Sequence, residues 1–195
     1  MSSKNTYNRP LAPEEMKRMV KIGAILFVSS IIFMGGLSLL VHFDTIRLYP
    51  SSMNAEMLKG YAARIEYTFR YQTLLAIWLM FNIFATVHVR LTQKAINPLD
   101  EKSEQKVQLM KNVLTNSYEQ IVLSVLAQLI YVSFASPECI LKVIPLVNVI
   151  QFVGRIGFFV GYPFKRSFGF SCTMIPTIAL IFYNTYKFVS FLGLY

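Results

Sequence analysis

The stretch GRIGFFVGYPFKRSFGF, residues 154–170, opens with an arginine, Arg155, in a run otherwise apolar enough for a lipid bilayer. An arginine at membrane depth costs about 2.5–3.5 kcal/mol on insertion scales and more in simulation. Such a residue marks a candidate functional site and needs a partner. Whether a membrane is its setting is decided by the rest of the chain.

Of the 195 residues, 54% are hydrophobic and 15% charged, against about 25% charged in a soluble domain. Five stretches are long enough to cross about 30 Å of hydrocarbon as helices: residues 20–43, 71–89, 118–136, 143–162 and 168–186. Two of them carry interior ionisable groups, Glu119 and Arg155. The expected class is a polytopic, all-α integral membrane protein. The net charge of +9 would suit nucleic acid, but its distribution follows the loops instead. Lys4, Arg9, Lys17, Arg18 and Lys21 precede the first span, Arg90, Lys94, Lys102, Lys106 and Lys111 follow the second, and Lys165 and Arg166 follow the fourth. The alternate connections hold Arg47, Lys59, Arg64 and Arg70, and Lys142. The larger set predicts a cytosolic N-terminus and, with five spans, a C-terminus on the lumenal or outer side. The partner expected from this pattern is membrane lipid, not nucleic acid.

The first apolar run, KIGAILFVSSIIFMGGLSLLVHF, is too long for a signal sequence and lacks an Ala-x-Ala site, so it reads as a retained span. The chain divides into a polar tail (1–18), a first span (19–43), a connection (44–70) and a four-span region (71–195). Gly35 and Gly36 suggest a bend or a close helix contact. Pro50 and two serines predict a turn into a short helix. Asn97 and Pro98 suit a helix cap and first residue, for a helix that runs on into the third span. Cys139 and Cys172 fall at opposite membrane faces and are expected as free thiols. No metal site is expected.

The polar residues at membrane depth are patterned. Asn116 and Glu119 are three apart on the third span, and Asn148, Gln151, Arg155 and Tyr162 draw one stripe down the fourth. The simplest expectation is a Glu119–Arg155 pair, each offsetting the other's burial. The same residues read either as glue between helices or as a ligand site. A transport pathway is a third reading, with neither paired broken helices nor an inverted repeat to support it.

Three motifs in one order, NSYEQ from Asn116, GRIGFFVGY from Gly154 and RSFGFSCTMIP from Arg166, resemble the MAPEG family. These are membrane-associated proteins of eicosanoid and glutathione metabolism, including microsomal glutathione transferases and prostaglandin E synthase. The resemblance covers residues 71–187, four spans of five. With its extra first span, EQIVLSVLAQLI and GYPFKRSFGFSCTMIPTIAL, the chain is most similar to the mattrin branch. What this implies is a MAPEG-type four-helix transmembrane bundle plus one N-terminal transmembrane helix, assembled as a homotrimer in endoplasmic reticulum, Golgi or lysosomal membranes. Glutathione would bind between subunits toward the cytosol, on Asn116, Glu119, Arg155, Tyr162, Arg166 and Ser167, ten residues ahead of Pro176 in the Arg166 motif. Tyr162 and Arg166 are the implied catalytic donors to its thiol. Three positions depart from the pattern: Asn112 stands where the family has an Arg, Phe158 and Phe170 stand where prostaglandin E synthase has a His and a Tyr, and the loop from Tyr162 to Arg166 is short. The resemblance thus carries two functions forward. One is a mattrin-type structural or regulatory protein with a degenerate glutathione site. The other is an active glutathione-dependent transferase or peroxidase acting on lipophilic substrates.

Overall fold

The computed structural model describes residues 12–95 and 101–193. It contains five long helices, α1 (Pro13–His42), α2 (Tyr61–Thr92), α3 (Glu101–Phe134), α4 (Pro137–Gly161) and α5 (Ser167–Phe191). Each holds a window long and apolar enough to cross a membrane, and no strand occurs among the described residues. The protein is an all-helical, multi-pass membrane protein. Its lipid-facing surface is what a bilayer requires, with Ile32, Phe84, Val160 and Phe182 all exposed.

All five helices begin before their predicted spans, at starts that hydropathy does not register. α1 starts at Pro13, inside the stretch read as a tail. Pro13 needs no N–H at the first helical position, and the Glu15 carboxylate accepts the Ala12 N–H at 3.1 Å. α2 starts at Tyr61, inside the stretch read as a connection. Ahead of it the Pro50 turn forms as predicted, with the Met53 N–H donating to the Pro50 carbonyl at 2.9 Å. A short 3₁₀ helix, Ala55–Leu58, follows and is capped by Asn54. α3 is continuous into its span as expected, whereas the proposed cap at Asn97 and Pro98 lies outside the described residues.

α4 is the central helix and packs against the other four. Ile140, Leu141, Ile144 and Val147 form the main apolar core with Tyr131, Val132 and Leu180. Pro145 lies inside α4 and cannot donate to the Leu141 carbonyl one turn back. The Tyr67 hydroxyl of α2 donates to that carbonyl instead, at 2.9 Å, which is how a proline is tolerated where no water can help. Arg64 does the same for the end of α3, donating to the carbonyls of Val132 and Ala135 at 3.3 and 3.1 Å.

α4 and α5 touch through glycines. A Cβ on Gly169 would stand 2.2 Å from the Phe158 nitrogen and 2.3 Å from the Gly154 oxygen. The small residues let the two backbones meet. Gly35 and Gly36, by contrast, face open space, so α1 makes its close approach elsewhere, at Gly23 against Ser167. Cys139 is exposed and Cys172 buried, both as free thiols.

Candidate functional site

A column of polar side chains fills the bundle interior where α3, α4 and α5 meet. The Ser124 hydroxyl donates to Gln151 Oε1 at 2.8 Å, and Gln151 Nε2 donates to Thr177 Oγ1 at 3.0 Å. Gln128 Nε2 donates to Ser124 at 2.9 Å, and Asn148 Nδ2 donates to Gln128 Oε1 at 2.7 Å. All five residues are buried. The stripe predicted on α4 therefore faces inward through Asn148, Gln151 and Arg155, while Tyr162 lies just past the helix end. The partners on α3 and α5 escaped the sequence reading. Their signal was present in the helical spacing of Ser117, Ser124 and Gln128, and of Thr173, Thr177 and Asn184.

Arg155 is the last member of the column and is only 1% exposed. Its Nη1 donates to Asn116 Oδ1 at 3.0 Å, its Nη2 donates to Thr173 Oγ1, and the guanidinium lies 4.8 Å from the Phe158 ring centre. The expected pairing with Glu119 is not formed within the chain. Glu119 is exposed, and its carboxylate makes no ion pair or hydrogen bond among the described residues. The reason is angular. Positions three apart on a helix differ by about 60° around its axis. Asn116 takes the inward direction, and that rotation leaves Glu119 on the outer face. Arg155 is thus a buried cation held by neutral acceptors.

Beside Asn116 opens a cavity of about 510 Å³. Its floor is the first two turns of α5, from Arg166 and Ser167 to Met174 and Ile175, with Asn116 of α3, Phe158 of α4 and Phe27 of α1 around it. Tyr162 stands behind this wall, its ring 5.5 Å from that of Phe158 and 5.8 Å from the Arg166 guanidinium. Of the predicted site residues, the cavity gathers Asn116, Arg166 and Ser167. Tyr162 is adjacent, Arg155 is reached through Asn116, and Glu119 is apart from it. Two of the three departures, Phe158 and Phe170, line the cavity. The third, Asn112, is exposed and accepts from Gln108 at 2.8 Å. Lys111 next to it is engaged by Glu104 at 2.5 Å. Chemically the cavity presents one guanidinium, hydroxyls and an amide at one end, and apolar walls beyond.

At the α2–α3 junction Arg90 grips Glu104 with both terminal nitrogens, at 3.0 and 2.9 Å. Arg90 first and Lys111 second hold the Glu104 carboxyl below its ordinary range. At the opposite end of the bundle Lys142 donates to Asp44 at 2.8 Å, and this contact lowers the Asp44 carboxyl likewise. Among the described residues no group of three or more His, Cys, Asp or Glu side chains could hold a metal ion.

Five apolar helices around a hydrogen-bonded polar column define a polytopic helical-bundle membrane protein. Residues 68–186, more than half of the chain, match the model of the MAPEG family, and the chain belongs to that family. The match starts within α2 and leaves α1 outside. Comparisons with curated proteins and with solved structures find no match.

Proposed function

We propose that this MAPEG-family protein is of mattrin type, with a structural or regulatory role in endomembranes, and that its glutathione-type site is degenerate. The observation that carries this reading is the cavity lining. Phe158 and Phe170 occupy it where the resemblance to prostaglandin E synthase expects a His and a Tyr. Arg155, a residue the resemblance would put on the tripeptide, is committed to Asn116 and Thr173 and is buried. Glutathione carries two carboxylates and an ammonium. Among the described residues of one chain the cavity has a single lining cation, Arg166, so these residues fit one carboxylate and leave the second without a charged partner from the same chain. Beyond Arg166, the described lining offers a thiol the Ser167 and Ser171 hydroxyls, the Asn116 amide and apolar side chains, with no second cation, so no thiolate-forming step is assigned. A free thiol has a pKa near 8.5, and a nucleophilic thiolate needs selective anion stabilisation.

A homotrimer is part of this reading. Glu119 lies within the α3 span, exposed and without a partner among the described residues of its own chain. A carboxylate at that depth calls for another chain, or a water-filled axis, over that face. The cytosolic N-terminus is retained on the Lys/Arg asymmetry of the loops. An active glutathione transferase is the second reading. It is favoured by Arg166 standing at the cavity with Tyr162 stacked behind it.

The test is calorimetric titration of glutathione into purified protein. Weak binding that Arg166→Ala abolishes supports the degenerate site. Tight binding that also depends on Glu119 would favour the second reading.

A further inference from the structure

The helix that lies outside the family-matched segment forms one flank of the cavity. Among the described residues α1 packs on α4 and α5 and not on α3, while α3 packs on α5 as well. α3 contributes the polar Asn116, and α1 contributes the ring of Phe27. The level of α1 against α5 is fixed at several points. Gly23, one turn before Phe27, approaches so closely that a Cβ there would sit 3.2 Å from Ser167 Oγ. Further along, the Phe33 ring lies 5.8 Å from that of Phe168, and Met34 is buried with Ile150 and Cys172. At the far end of α1, Lys142 donates to the His42 carbonyl at 3.2 Å and to Asp44 at 2.8 Å. The segment of α1 that carries Phe27 is therefore held in place by contacts on both sides of it along the helix, while the Phe27 ring itself is exposed.

We propose that α1 is a selectivity wall of this cavity and that Phe27 sets the size of the apolar group the cavity admits. The chemistry of the lining supports a bound molecule with an anionic end at Arg166 and Ser167 and an apolar group between Phe27 and the Met174–Ile175 surface. This rests on the reading of the cavity as the ligand site, but the role of Phe27 can be measured without any ligand.

The test places a thiol in the cavity as Met174→Cys, with Cys139→Ser to remove the exposed native thiol, in the full chain reconstituted in lipid nanodiscs. Alkylation rates with N-ethylmaleimide and the larger N-benzylmaleimide are compared by mass spectrometry. Their ratio cancels changes in thiol reactivity. Phe27→Ala should shift the ratio toward the larger reagent by about tenfold, the scale on which apolar pockets discriminate by size. Phe27→Leu should shift it less, and Phe27→Trp should shift it the other way. Ile178→Cys, exposed and outside the cavity lining, should show no response. A ratio at Met174→Cys that ignores all three Phe27 variants overturns the proposal, and so does an equal shift at Ile178→Cys, which would mean general loosening. Glutathione titration of the same samples separates the two claims. A moving ratio without glutathione binding leaves the wall standing and removes the glutathione reading. Glutathione binding with a fixed ratio does the reverse.

Discussion

Arg155 is compensated without a counter-ion. Removing one partner of a buried charge costs more than removing the charge itself, because the orphaned group keeps its desolvation penalty. Thr173→Val takes the acceptor from Arg155 Nη2 and should destabilise by about 1–3 kcal/mol. Arg155→Met removes the guanidinium altogether. Thr173 keeps its own bond to the Phe170 carbonyl, 2.9 Å, so the loss should stay under about 2 kcal/mol. In the Arg155→Met background, Thr173→Val should cost far less than it does alone. The double-mutant cycle read from thermal unfolding in detergent should show coupling of about 1 kcal/mol or more between these positions. A strong Arg155–Glu119 coupling with none to Thr173 would restore the ion pair that the chain's geometry lacks. The sequence announced that Arg155 needed a partner but not which one. Asn116 and Glu119 share a face only to within 60°, and packing decides between them.

At the scale of elements, the α4–α5 contact depends on Gly169. Alanine is intrinsically better in a helix by about 1 kcal/mol. Here its Cβ would meet backbone atoms of Phe158 and Gly154, which no rotamer change can move aside. Overpacking of that kind costs about 1–3 kcal/mol and occasionally more, so Gly169→Ala should lower the melting temperature. Gly35→Ala, in open space, should leave it unchanged or raise it. Equal effects at the two positions would contradict the packing described. The α2–α3 junction adds a pH dependence. The Glu104 carboxyl is depressed in the folded state. Its contribution is therefore present above the ordinary carboxylate pKa and is lost as pH falls through the depressed one. Melting temperature should drop on acidification below about pH 4, with a smaller drop in Glu104→Gln. Identical acid profiles would remove this network from the account.

The existence and order of the helices were legible because runs of apolar residues are long-range averages that no single contact disturbs. Their ends were not, since Pro13 with Glu15 caps α1 well before its hydropathy rises. The site was legible in part. Asn116, Arg166 and Ser167 meet around one cavity, but the partners of the column on α3 and α5 were hidden among apolar neighbours. Phe27 was invisible, because nothing in its own helix says that it faces a cavity.

For the whole molecule, the bundle, its polar column and its family membership leave the chemistry to be settled at the cavity. The topology inferred from the loops predicts that tags at the two termini differ in protease protection in sealed vesicles; equal accessibility would overturn the span count. The more direct measurement is conjugation of glutathione to chlorodinitrobenzene by the purified protein, with Tyr162→Phe and Arg166→Ala beside it. A degenerate site predicts turnover that is absent or barely above the uncatalysed rate in all three. Robust turnover that disappears in both variants would contradict the account and make this protein an enzyme.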